Sequence, residues 1–307
     1  MGKGHRINYF DVVGRAVGAL DDRLVGEAIT RLSAAYRSGA DAFDHRSPAG
    51  RAAYLWHHVP AHVCELSRLF LDLGVLEGRR ELRLLGLGAG PGSEVLALLE
   101  AASAARARGE LSDLEGVRAL RVDRSPAWDA SFSALLPPLR EQLAARGGGF
   151  DDDWTFEAPS AALVCDLTVG PVPESVLEAA RKSELLVAAN LLSELPPRGR
   201  TELPGESADT LRAVFSSLGG PRPEVLLVDR AGAPGAKERL RAAAELARQV
   251  LPAARVTGPR ERQTRCGCAL TRRGRAVYRH VRLPTTRDAD RPVRNCKAVW
   301  CLIAGKH

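Results

Sequence analysis

The chain has 307 residues, of which 45% are hydrophobic and 26% charged, with a formal net charge of +7; this suits one large α/β domain with an appendage, or two small domains. No apolar run reaches the roughly 18–20 residues that a membrane span needs, so no membrane partner is expected. Six cysteines are too sparse for a disulfide scaffold in a chain of this length, and a reducing compartment is the default.

The start, Met1-Gly2-Lys3-Gly4-His5-Arg6, lacks the apolar core of a secretory signal, so an intracellular place, cytoplasm or nucleus, is expected. Arginine supplies 39 of the 44 positive charges. A GC-rich coding sequence produces that bias, so arginine content alone does not argue for phosphate binding. Its distribution is more informative: Arg255 to Lys297 holds 13 Lys and Arg against 3 Asp and Glu, whereas the rest holds 31 against 34. The segment is either a solvated basic face or a docking surface for an anionic partner, and RNA is the partner expected.

Residues 1–78 read as a helical extension. From Arg23, the residues Leu24, Val25, Ala28, Ile29, Leu32, Ala35 and Tyr36 recur every three or four positions, with Gly39 just beyond, as in one amphipathic helix. Ser47-Pro48 looks like a cap and first turn. The helix it opens runs through Tyr54, Leu55, Val63, Leu66 and Phe70 to stop at Gly74, with Pro60 as a kink.

Residues 79–307 change texture. Short apolar runs at Leu82–Leu87, Ala119–Val122, Ala162–Cys165, Leu185–Ala189 and Val225–Val228 alternate with helical stretches, the pattern of a parallel sheet covered on both faces. Ala276–Leu283 and Ala298–Ala304 read as a closing antiparallel hairpin. The predicted fold is α/β and Rossmann-like, a seven-stranded, mostly parallel sheet.

The sharpest motif is Leu84-Leu85-Gly86-Leu87-Gly88-Ala89-Gly90-Pro91-Gly92-Ser93-Glu94. A strand runs into a glycine-rich bend that opens a helix; backbone without Cβ atoms can lie against a ligand, and the helix start offers free N–H groups. The spacing is not that of the dinucleotide fingerprint, and there is no P-loop lysine. The stretch resembles the first motif of the class I S-adenosylmethionine-dependent methyltransferases, and the later strand ends follow in that family's order. The resemblance implies S-adenosyl-L-methionine as cofactor, held by Gly86, Gly88, Gly90, Gly92 and Ser93. At Val122-Asp123-Arg124-Ser125 it implies Asp123 as acceptor of both ribose hydroxyls. At Cys165-Asp166-Leu167 it implies an acid and a backbone N–H for adenine. At Asn190-Leu191-Leu192-Ser193-Glu194 it implies Asn190 and Glu194 as candidate catalytic groups facing the transferred methyl. The sequence departs from the pattern at Gly86, where the family usually places an acid, and in the long gap from Gly92 to Asp123. A fainter likeness is to ribosomal-RNA uridine methyltransferase-like proteins with a helical extension.

Each candidate also has an ordinary structural reading. Asp123 could cap the following helix, Asp166 and Asn190 could bond within their own turns, and Glu194 could be a surface acid before Pro196-Pro197. Tyr54, His57 and His58, with Ser193, are expected at the cofactor mouth or substrate side, unless the helix simply packs its aromatic face on the core. His58 and His62 lack an accompanying acid, so no metal is expected there. Cys266-x-Cys268 and Cys296-x₄-Cys301 invite a zinc reading, but buried free thiols are the default. Trp128 and Trp154 could stack on a base or fill core edges.

Overall fold

The computed structural model describes residues 7–38, 43–111, 113–146, 154–197, 200–251, 253–282 and 295–305. Three helices lead the chain: α1 (Tyr9–Ala16), α2 (Asp22–Ser38) and α3 (Pro48–Asp72). Ser47 caps α3, its side chain accepting from the Gly50 N–H, with Pro48 in the first turn, because proline's fixed φ suits that position and its missing N–H costs nothing there. On α2, Val25, Ala28, Ile29 and Leu32 are buried, whereas Leu24, the first residue of the expected stripe, is 53% exposed.

The sheet follows: β1 (Glu81–Leu87), α4 (Ser93–Ala107), β2 (Gly116–Asp123), α5 (Asp129–Ala144), β3 (Thr155–Glu157), β4 (Leu163–Val164), α6 (Glu174–Arg181), β5 (Leu185–Ala189), α7 (Gly205–Ser217), β6 (Glu224–Arg230), α8 (Ala236–Val250), β7 (Arg255–Arg265), α9 (Arg272–Tyr278) and β8 (Asn295–Ala304). The order is β3-β2-β1-β5-β6-β8-β7, with β4 also on β2. β3 and β4 run parallel to successive parts of β2, so they act as one interrupted edge strand. Counted so, the order becomes 3-2-1-4-5-7-6. Only the last two strands contribute antiparallel pairings. This is the seven-stranded Rossmann-like sheet the sequence implies.

Alternation along the strands divides the core. Leu84, Val187, Leu226, Val228 and Trp300 join one cluster, which also takes in Phe10, Val25, Trp56 and Phe70 of the N-terminal helices. Leu85, Leu186, Ala188, Leu227 and Cys301 join a second cluster with α6, α7 and α8. Successive strand side chains point to opposite faces, so each central strand supplies both layers. The helical extension therefore shares its core with one face of the sheet. α4 lies between α3 and the sheet and is buried on nearly every side, as expected of a helix apolar all round.

The closing pair differs from expectation. β8 is the expected strand, but its outer partner is β7, and Arg272–Tyr278 is a helix. Thr271 caps α9 by accepting from the Gly274 N–H, and Val277 and Tyr278 turn into the core. Among the described residues β7 pairs with one neighbour, and it is interrupted at Thr257/Arg260, so it carries no apolar alternation to betray it. The expected third strand, Ala162–Cys165, contracts to Leu163–Val164. Leu283, the end of the expected hairpin strand, and Arg287, Arg291 and Arg294 of the basic segment lie outside the described residues.

Candidate cofactor and substrate site

The carboxyl ends of β1, β2, β4 and β5 open on a cavity of about 920 Å³, at the point where the strand order reverses on either side of β1. Ligands of open α/β sheets settle in such a crevice. Of the residues singled out in the sequence, Gly88, Gly90, Asp123, Arg124, Ser125, Asp166, Leu167, Asn190, Glu194, Tyr54 and Trp128 line it. Gly86, Gly92, Ser93, Ser193, His57, His58 and Trp154 do not.

The four glycines do different work. A Cβ at Gly86 would lie 2.3 Å from Glu94 Oε1, one at Gly88 2.6 Å from Leu191 Cδ1, and one at Gly92 2.6 Å from Phe132. At Gly90 it would meet only Trp128, at 3.9 Å. The bend is therefore not bare along its whole length: Gly90 alone keeps ordinary contact distance on the cavity side. Gly88 and Gly92 have φ of +60° and +77°, a region that only glycine enters without cost. Arg121 fixes the bend from below, donating to the Gly90 carbonyl and to Asp129, with its guanidinium 4.0 Å from the Phe132 ring centre. The α4 N-terminus that follows has glycine as its N-cap and so no cap from that residue, while the Glu94 carboxylate turns back toward its own N–H.

Asp123 ends β2 and links that strand to the bend. Its Oδ2 accepts from the Gly90 N–H and its Oδ1 from the Ser125 N–H, both at 2.8 Å. Burial raises its pKa, opposed by those two bonds and by Arg124 and Arg121. Each oxygen retains a second lone-pair direction, so the carboxylate can still accept from a diol. Asp166 is steadied by Thr168, whose N–H and hydroxyl both reach Oδ1. Burial raises its pKa, but those bonds and the charge of Arg124 outweigh burial and hold it below the ordinary carboxylate range.

Glu94, in the first turn of α4, was absent from the expected site. Its carboxylate fills the space a side chain at 86 would take, and so brings an acid to the place where the resemblance expects one. It is 3% exposed, and Oε1 has no hydrogen-bond partner among the described residues. Burial pushes its pKa up to about 8, against the pull of its own N–H and Arg121.

At the β5 edge most polar groups are already engaged. Asn190 holds φ +56°, a conformation asparagine tolerates better than most residues, and its N–H donates to Val228 O at 2.8 Å. Ser193 faces inward: its N–H and hydroxyl both donate to Asp229, each at 2.7 Å. Glu194 lies 3.8 Å from Arg230 and its charge acts on the buried Tyr36 hydroxyl, while Arg230 sits over the Tyr36 ring at 4.5 Å. The buried Arg239 holds the loop beyond, donating to the carbonyls of Leu192, Leu195, Pro197 and Arg200.

The remaining wall comes from the extension. Tyr36, Phe43, His45 and Tyr54 join Trp128 along the cavity, with ring centres 5.2 Å apart for Tyr54 and Trp128 and 5.5 Å for His45 and Trp128. His58 lies behind Tyr54 at 4.8 Å and stacks on His62. Burial lowers the pKa of both histidines, to about 3 for His62, so they pack as neutral rings beneath the wall. Trp154 is buried away from the cavity beside Arg106.

No protein-family model matches the chain, and no curated protein matches it. Among solved structures it is similar to the YcgJ protein from Bacillus subtilis, at 14% identity over 79% of this chain and 99% of that one, with a TM-score of 0.37. It is also similar to a precorrin-6y C5,15-methyltransferase from Geobacter metallireducens, at 14% identity over 79% and 89%, TM-score 0.37. A third likeness is to the CMeT domain of a citrinin polyketide synthase, at 12% identity over 92% and 66%, TM-score 0.41. The fold assignment rests on the strand order and not on these scores.

Proposed function

We propose that the chain is an S-adenosylmethionine-dependent methyltransferase. The observation that carries the reading is the junction of Asp123 with Gly90: an acid at a strand end, bonded to the one glycine of the bend that keeps open space on its cavity side. The residues fit the cofactor. Asp123 would hold the ribose hydroxyls, Asp166 and the backbone at Leu167 the adenine, and Val164 and Leu167 an apolar flank. Glu94, which is not among the residues lining the cavity, would support the bend from behind Gly86 as a buried, protonated acid.

When bound, the cofactor supplies a methyl group already activated on a sulfonium. The protein's share is then to orient an acceptor, exclude water and hold a proton where one must leave. Tyr54, His45 and Trp128 form the water-excluding wall. Glu194, which lines the cavity beside Arg230, would hold that proton.

Isothermal titration of the folded protein with S-adenosylhomocysteine tests the reading: saturable binding supports it and no binding rejects it. Asp123→Ala should weaken that binding by about 1–3 kcal/mol, the usual loss for a charged acceptor. Unchanged affinity would reject the role given to Asp123.

RNA is the acceptor we propose. The support is the basic C-terminal segment, where Arg272, Arg275, Arg279 and Arg282 are exposed on and just after α9, although Arg262, Arg273 and Lys297 are engaged with Asp72, Asp22 and Glu261. RNA binding should weaken steeply with added salt, because phosphate contacts release counterions. Salt-independent methylation of a neutral metabolite would point to a small-molecule acceptor instead.

A further inference from the structure

A group of thiols lies outside the cavity, where α3 meets the segment between β7 and α9. Cys64 Sγ is 3.2 Å from Cys266 Sγ and 3.9 Å from Cys268 Sγ, and all three sulfurs lie within 4.8 Å of one another. Cys266 and Cys268 are buried, and Cys64 half-buried. The zinc alternative in the sequence, set beside the default of buried free thiols, joins Cys266-x-Cys268 to Cys296 and Cys301. The structure breaks that set: Cys301 lies in the opposite core on the far face of the sheet, and the Cys296 side chain is outside the described residues. Cys64, some 200 positions earlier, takes their place.

The contrast among the cysteines is telling. Cys165 and Cys301 sit singly among apolar neighbours, as small hydrophobes do. The other three converge from two distant segments, although a thiol is a poor hydrogen-bond partner for another thiol. Tetrahedral zinc with Zn–S bonds of about 2.3 Å sets its sulfurs about 3.8 Å apart, and the observed separations bracket that value. A disulfide, at about 2.05 Å, would join two of the sulfurs and strand the third.

We propose that Cys64, Cys266 and Cys268 bind one zinc(II) ion as three thiolates, with a non-cysteine ligand in the fourth position. Binding releases the three thiol protons to solvent and forms three Zn–S bonds, so it needs no oxidant. The site would clasp α3, which carries Tyr54 to the cavity wall, to the segment leading into α9.

The test uses the full-length protein, purified with zinc in the growth medium and no chelator. Elemental mass spectrometry should find one zinc per chain, and Cys64→Ser and Cys266→Ser should each leave the chain well below one equivalent. Should those variants fold poorly, cobalt(II) titration of the unaltered protein reads the same site: thiolate-to-cobalt charge-transfer absorption is expected in the near ultraviolet. Metal-free protein without that band, full zinc retention in folded Cys64→Ser, or an intact mass showing a disulfide within the trio would each overturn the proposal.

Discussion

The two halves of the sheet's carboxyl edge are built on opposite plans. Around β1 and β2, polar groups are placed with capacity left over: Asp123 accepts two backbone bonds yet keeps lone pairs, and Glu94 Oε1 has no hydrogen-bond partner among the described residues. Around β5, the comparable groups behind the cavity are spent within the chain: Ser193 on Asp229, and the loop carbonyls on Arg239; Glu194, beside Arg230, belongs with the cavity lining instead. Unsatisfied buried polar atoms are costly and persist where a ligand answers them, whereas a satisfied network mainly fixes a shape. The first half thus reads as a ligand cradle and the second as a frame. Substitutions in the cradle should change how the protein meets ligand or pH, and substitutions in the frame should change stability alone.

The largest expected effect falls on Glu94. Its folded-state pKa, about 8, lies above the ordinary carboxylate value, so the folded state prefers the protonated acid. That contribution is complete below the unfolded pKa and is lost as pH rises toward the folded one. Glu94→Gln mimics the neutral form at every pH. In denaturant melts without ligand, the variant should gain on the parent by about 3 kcal/mol between roughly pH 5.5 and roughly pH 8.5, at about 1.36 kcal/mol per pH unit over the window where the two states differ in protonation. Parallel pH profiles for the two proteins would show that the buried carboxyl is not held protonated, and the distinction between cradle and frame would lose its clearest member.

Legibility in the sequence followed the same division. The cradle is local: a strand, a bend and a helix adjoin in the chain, and Asp123 follows at the next strand end, so periodicity and glycine spacing suffice. Glu94 was visible as a residue but not as a partner of Gly86, because the carboxylate reaches that space only once the helix folds back on the strand. The aromatic wall needed tertiary packing, since Phe43 and His45 lie in the connection after α2, where no periodic pattern marks them. The Thr271 cap with Gly274 three residues on was a signal for α9, overshadowed by the strand-like run of Ala276, Val277 and Tyr278. The polar edge strand β7 gave no signal of its own, and the pairing of Cys64 with Cys266 depends on where that strand ends.

A smaller effect tests the frame. Asp229 is fully buried, and burial raises its pKa against the bonds from Ser193 and the Arg230 N–H. Ser193→Ala removes the hydroxyl donor but leaves the Ser193 and Arg230 N–H bonds to the carboxylate. The carboxylate is weakened and not orphaned, so the loss should sit near the lower part of the range for charge-assisted bonds, about 1–2 kcal/mol in a denaturant melt. Because the Ser193 side chain faces away from the cavity, S-adenosylhomocysteine affinity should remain that of the parent. A variant of parental stability with weakened binding would move Ser193 into the cradle and erase the boundary drawn at β5; lost stability with intact binding would place that boundary between Asn190, which lines the cavity, and Ser193, which holds the strand end in place.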